Sequence, residues 1–213
     1  MSNPPLVETA YRLIRQKLLN GDFLPGTLLS ENELATEMSM SRTPVRDAMA
    51  LLSREGFVEP LKKRGTLVKG VDIKELYDML DLIQALYVYV IDALEPEQYE
   101  DALPIMKEHL DRLIEASEQR RYREYYENCL LFMRTLLATV HNQSILQTFD
   151  VYKDKILFYV VVYRTATSPN RPYTSKKLYS DMFRFLCEGN IPDAKKAFLD
   201  SMRNTREELV RYL

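Results

Sequence analysis

The chain has little of what most enzymes and metalloproteins are built from. Its 213 residues include two histidines, two cysteines, six glycines and no tryptophan. Cys129 and Cys187 stand alone, without the paired spacing of a zinc site, and read as buried free thiols of a reducing compartment rather than as a disulfide. His109 reads as a surface residue of its helix, and His141 as a polar residue at a helix end. There is no Gly-rich phosphate loop, no Gly-x-Ser-x-Gly elbow and no metal-binding His pair. Adjacent carboxylates such as Glu100-Asp101 and Glu207-Glu208 fall on polar helix surfaces and need no catalytic role. An enzyme is therefore not expected. Long apolar runs are missing as well: Ile156–Tyr163 is far short of a membrane span, and the first residues lack a secretory signal pattern. A cytoplasmic protein with no membrane partner is expected.

Nor is there an overall excess of positive charge. The formal net charge is −2, but it is unevenly divided: residues 1–70 carry ten Lys/Arg against eight Asp/Glu, and the remainder carries 19 against 23. Any attraction for a polyanion must come from a local patch rather than from the whole molecule. With 46% hydrophobic residues, the chain is long enough for two domains with cores of their own.

What the chain does have is concentrated in Ser30–Gly65, SENELATEMSMSRTPVRDAMALLSREGFVEPLKKRG. Ser30 followed by Glu33 fits a capping box and starts a short helix with Leu34, Ala35 and Met38 as its buried stripe. Ser39-Met40 forms a turn without the glycine often found there. A second helix starts at Ser41 or Thr43, with Pro44 in its first turn, where a missing N–H costs nothing. Val45, Ala48, Met49 and Leu52 recur at helical spacing and face inward. Arg42 and Arg46, four residues apart, share the opposite face with Thr43. Gly56 ends this helix. Two short strands, Phe57-Val58 and Thr66–Val68, then flank Lys62, Lys63, Arg64 and Gly65. Three cations at a hairpin tip suit phosphate or minor-groove contact, and Gly65 lets the backbone approach closely. Taken singly, each charge also fits a solvated turn or surface. In this order and spacing they predict a winged helix-turn-helix that places its second helix in the major groove of DNA.

The run from Gly26 to Gly65 resembles the DNA-binding domain of GntR-family bacterial transcriptional regulators. The residues that carry the likeness are Ser30-Glu31-x-Glu33-Leu34-Ala35, Ser41-Arg42-Thr43-Pro44-Val45-Arg46 and Leu51-x-x-x-Gly56. The upstream stripe Val7, Ala10, Tyr11, Ile14 and Leu18 fits the helix that precedes it. The resemblance implies that Arg42, Thr43 and Arg46 read bases or phosphates and that Gly65 enters the minor groove. Asn32 stands where some members carry a basic residue, so that contact is weaker or differently aimed. The DNA-binding set is thus Asn32, Ser41, Arg42, Thr43, Arg46, Lys62, Lys63, Arg64 and Gly65. Dimers of such domains read pseudo-palindromic operators, so a homodimer on double-stranded DNA is expected.

Beyond residue 70, helical periodicity dominates, with helices expected near residues 73–94, 96–116, 122–140, 144–165, 173–188 and 191–212. The fold class is mainly α: a winged helix-turn-helix domain (1–70) with a small β-hairpin, then an all-α bundle (71–213). This second part resembles, more weakly, the effector-binding and dimerisation domain of the FadR-like subfamily, with Gly189-Asn190 before an alanine-rich last helix. Many such domains hold a divalent metal through three histidines and an acidic residue. Here the matching positions carry Met133, Tyr179 and Ser201, with Cys129 one turn before Met133. Leu80 and Gln84 replace an Arg and a Glu common on the first helix. Thioether, phenol and hydroxyl do not replace imidazole for Zn²⁺ or Ni²⁺. No metal or other cofactor is expected, and Leu80, Gln84, Cys129, Met133, Tyr179 and Ser201 form the candidate effector pocket.

Most of the fourteen tyrosines lie beyond residue 70, among them Tyr87, Tyr89, Tyr125, Tyr126, Tyr159, Tyr163 and Tyr179. Each brings an apolar face and one hydroxyl that needs a partner, suited either to a core or to a pocket for a largely apolar or aromatic small molecule. The expected function is a DNA-binding transcriptional regulator, a repressor rather than an activator, controlled by a small-molecule effector held without metal. The alternative is a DNA-anchored regulator whose helical domain binds a protein partner.

Overall fold

The structure is a computed structural model that describes residues 4–62, 64–70, 72–167 and 173–211. Helix α1, Pro4–Asn20, buries Ala10, Ile14 and Leu18 along one stripe and packs on α3, Arg42–Arg54. The facing stripe of α3 is Val45, Ala48, Met49 and Leu52, all buried. Each fully buried Val, Leu or Ile contributes about 1.5–3 kcal/mol over its exposed state, so this interlock holds the domain together. Helix α2, Glu31–Glu37, lies between them in sequence and buries Leu34 and Ala35. Its N-cap is Ser30, whose Oγ accepts from the Glu33 N–H at 3.4 Å. Met38 is half-buried at its end. The turn between α2 and α3 does without glycine because Ser39 itself takes a left-handed conformation, φ 52°. The second helix starts after Ser41, its extended N-cap residue, rather than at Thr43.

The β part is larger than a hairpin. Strands β2, Val58–Leu61, and β3, Gly65–Val68, pair antiparallel, and a third strand, β1, Leu28–Leu29, adds to the other side of β3. The order is β1-β3-β2. Pro60, which has no N–H to give, sits on the edge strand β2, where a lost donor is tolerated.

The rest of the described chain is helical: α4, Ile73–Asp92; α5, Pro96–Tyr99; a 3₁₀ turn, Glu100–Ala102; α6, Leu103–Glu118; α7, Tyr122–Ala138; α8, Gln143–Thr167; α9, Ser175–Cys187; and α10, Ile191–Arg211. The helix expected over 96–116 is broken. Pro104 cannot donate to the carbonyl one turn back, and Leu103 N–H closes a tighter bond to Glu100 O instead. Gly189, φ 67°, and Asn190 mark the last turn: the Asn190 side chain accepts from Asp193 N–H at 3.3 Å and caps α10.

The chain divides into two compact units. The first comprises the residues up to Asp72 together with the stretch of α8 that begins at Phe158. Phe158 is 1% exposed and meets the Phe57 ring edge-on, centroids 5.5 Å apart. The second unit comprises Ile73–Leu157 and the C-terminal helices α9 and α10. Its core contains Tyr87, Met106, Leu113, Tyr125, Phe132, Leu136 and Phe149, all fully buried. Within it α6 lies along α7, and α9 along α10. Arg134 on α7 and Asp150 on α8 form a two-pronged pair at 2.7 Å for each prong.

Candidate nucleic-acid interface

The inward stripe of α3 leaves Arg42, Thr43 and Arg46 on its exposed side. Asn32 and Ser41 are exposed as well, and so are Lys62, Arg64 and Gly65 at the wing; Lys63 lies outside the described residues. An open cleft of about 550 Å³ gathers most of this set. It is lined by Asn32, Arg42, Arg46, Arg64 and Gly65, with Glu31 among them. Recognition helix and wing therefore border one concave surface, which the residues' separation in sequence does not itself require.

The geometry of Gly65 has a reason internal to the fold. Its φ is 101°, and a Cβ placed there would lie 2.7 Å from the carbonyl oxygen of Leu29 on β1. Only glycine fits both the conformation and the gap. The wing turn closes through Arg64 N–H donating to Leu61 O at 3.0 Å.

Glu31, an acidic first-turn residue of α2, holds both Arg42 and Arg46. The Arg46 Nε donates to the two carboxylate oxygens at 3.3 and 3.1 Å, and its terminal nitrogen lies 3.1 Å from one of them. A terminal nitrogen of Arg42 reaches the same oxygen at 3.5 Å. The hydrogen bond and charge of Glu31 push the Arg46 guanidinium pKa up, so it stays protonated. No spacing rule pairs residues fifteen apart across a turn, so nothing in the sequence signalled this contact.

In the helical unit the candidate pocket residues separate into three places. Cys129 and Met133 on α7 and Tyr179 on α9 are all buried, and the Tyr179 ring meets Phe132 edge-on with centroids 5.2 Å apart. Leu80 and Gln84 are half-buried on α4, where Gln84 Oε1 accepts from Arg206 at 3.2 Å. Ser201 lines a groove between α9 and α10, together with Ser175, Asp181 and Asp200. Burial pushes the Cys129 thiol and the Tyr87, Tyr125 and Tyr179 phenols up, so all four are uncharged at neutral pH. Tyr87 brings a buried hydroxyl without a hydrogen-bond partner among the described residues, beside the rings of Phe149 and Phe198. Tyr89 is 57% exposed on α4, and the Tyr163 side chain lies outside the described residues.

These side chains do not suit a divalent metal. A buried neutral thiol, a phenol, a thioether and a hydroxyl on another face make no imidazole-rich or carboxylate cage. His109 is half-buried, with Nδ1 3.4 Å from the Asn128 amide oxygen, a satisfied helix-packing contact rather than a free surface residue. His141 is exposed in a left-handed conformation just past α7. Cys129 is buried as expected, but Cys187 is exposed, because it is the last residue of α9 and turns to the surface there.

Fold and exposed face together define a winged helix-turn-helix domain. Residues 6–68 match the family of bacterial regulatory proteins described as the gntR family. An uncharacterised helix-turn-helix regulator from an unstable DNA locus of Streptomyces ambofaciens is 42% identical over 87 residues, 41% of this chain and 37% of that protein. The gluconate operon transcriptional repressor of Bacillus licheniformis is 24% identical over 81% of this chain and 68% of its own length. The match thus spans little more than a third of the Streptomyces relative. A GntR transcriptional regulator from Rhodococcus sp. RHA1 shares the fold over 99% of this chain and 100% of its own, with a TM-score of 0.86 at 16% identity. Among the described residues no helix is long and apolar enough to cross a membrane.

Proposed function

We propose that the protein is a cytoplasmic, homodimeric transcriptional repressor that reads a pseudo-palindromic operator with residues 1–70 and senses a small molecule with residues 71–213. Arg42, Thr43 and Arg46 enter the major groove, and Lys62, Lys63, Arg64 and Gly65 reach the flanking backbone or minor groove. The observation that carries this reading is the single concave surface lined by Arg42, Arg46, Arg64 and Gly65. The helical unit belongs, on this proposal, to the FadR-like kind, with the buried Cys129, Met133 and Tyr179 group as the floor of its effector site. Uncharged hydroxyl, thiol and thioether groups favour a largely apolar ligand held by hydrogen bonds, without metal. An effector acts only through its differential affinity for the DNA-bound and free states.

Selection of binding sites from random-sequence duplex DNA tests the reading. Enrichment of an inverted repeat, bound by two chains, is the expected result. Recovery of no preferred sequence would overturn it. Relief of operator binding by a protein partner but by no metabolite would move the helical unit to the protein-interaction alternative.

A further inference from the structure

We infer that Glu31 is a specificity-determining residue of the DNA-reading face: it positions Arg46 for a base edge and offsets the charge of both recognition arginines toward phosphate. The inference rests on the proposed reading of DNA by Arg42 and Arg46. One carboxylate serves two guanidinium groups that are otherwise open to solvent, with side chains 57% and 58% exposed. Exposed pairs of this kind add little stability, so their placement among the residues that line the cleft calls for another reason.

The geometry supplies one. Glu31 takes the Nε side of Arg46 and one terminal nitrogen, and the other terminal nitrogen lies outside that contact on a residue that lines the cleft. A guanidinium fixed on one side and open at its end suits a two-pronged contact to guanine O6 and N7. Arg42 is held by a single longer contact and is released more readily. On the wrong sequence the base edges do not complete the geometry, and the carboxylate is left facing a polyanion. Two arginines then count as little more than one positive charge toward phosphate. A chain that is negative overall and weakly positive over residues 1–70 has little general attraction for nonspecific DNA. Glu31 lowers that background at the point where reading occurs.

The test is the substitution E31Q, which keeps shape and helix position but removes the charge. Affinities of wild-type and variant are measured on the selected operator and on scrambled duplex across a salt series, with thermal melts to confirm folding. The expected result is several-fold tighter binding to scrambled DNA and a salt slope there steeper by about 0.9, the effect of neutralising one further phosphate. Operator affinity is unchanged or lower, so the operator-to-scrambled ratio falls about tenfold, the scale of one base-reading arginine. E31D keeps the charge but shortens the reach, and it should lower operator affinity while leaving the scrambled-DNA slope as in wild-type. An unchanged ratio and slope in E31Q overturns the inference. If Arg42→Ala and Arg46→Ala also bind the operator normally, the DNA-reading assignment itself falls; if those two weaken binding and E31Q does not alter the ratio, only the role of Glu31 falls.

Discussion

Gly65 shows how much one residue can fix. Its positive φ and the 2.7 Å approach to Leu29 O make it a joint between wing and β1 before any DNA is present. Gly65→Ala must move the backbone of β1 or of the wing. The expected outcome is a loss of about 1–3 kcal/mol in the stability of the first unit, the scale of a strained left-handed position, measured by chemical denaturation. Equal stability in the two proteins would show that the wing adapts freely. The cysteines give a second residue-scale outcome. Cys129 is buried with its thiol pushed up, and Cys187 is exposed, so a thiol reagent should titrate one group in the native protein and two after unfolding. Both reactivities were hidden in the sequence, where two isolated cysteines look alike; helix phase and position within α9 separate them.

At the scale of elements, the wing and the paired helices make distinct statements. Lys62 and Arg64 are exposed at the hairpin tip and, with Lys63, are proposed to meet phosphates. Replacing all three by Ala should flatten the dependence of log affinity on log salt by about 0.9 for each phosphate that is no longer neutralised. An unchanged slope would make them a solvated turn. The Arg134–Asp150 pair ties α7 to α8, and its hydrogen bond from Arg134 holds the Asp150 carboxyl below the usual value. A lowered folded-state pKa gives stability that is present above the ordinary aspartate range, near pH 3.9, and lost as pH falls through the lower folded value. Both side chains are more than a third exposed, so the contribution is about 1 kcal/mol at most. Asp150→Asn should therefore cost up to about 1 kcal/mol at neutral pH, with the difference shrinking in denaturation curves as pH falls below the ordinary aspartate range.

The elements were legible where local chemistry decides them and obscure where distant partners do. The cap at Ser30 and the inward stripe of α3 follow from residue type and spacing, and both are found. Strand β1 is only Leu28–Leu29, an apolar pair that becomes a strand because β3 is there to bond it. The break before α6 needed attention to Pro104 alone. Which residues of α8 join which unit depends on the Phe57 ring meeting Phe158, a contact between residues a hundred positions apart. Ser201 illustrates the same limit in the candidate pocket: counting along α10 gives its position, while the packing of α9 decides that it faces the groove with Ser175 and Asp181.

For the whole molecule, the central claim is that a weakly acidic protein recognises a DNA sequence through a few placed arginines rather than through its net charge. A chain with formal charge −2 has little general attraction for a polyanion to draw on, so on the proposed reading affinity comes from Arg42 and Arg46 and from two identical reading heads. The most direct measurement is a titration of Arg46→Ala and Arg42→Ala against the operator and against scrambled duplex, with native helicity checked by circular dichroism. A base-reading arginine carries about 1–3 kcal/mol of discrimination. At least one variant should lose operator affinity by that amount and most of its preference over scrambled DNA; operator binding and preference unchanged in both would overturn the reading.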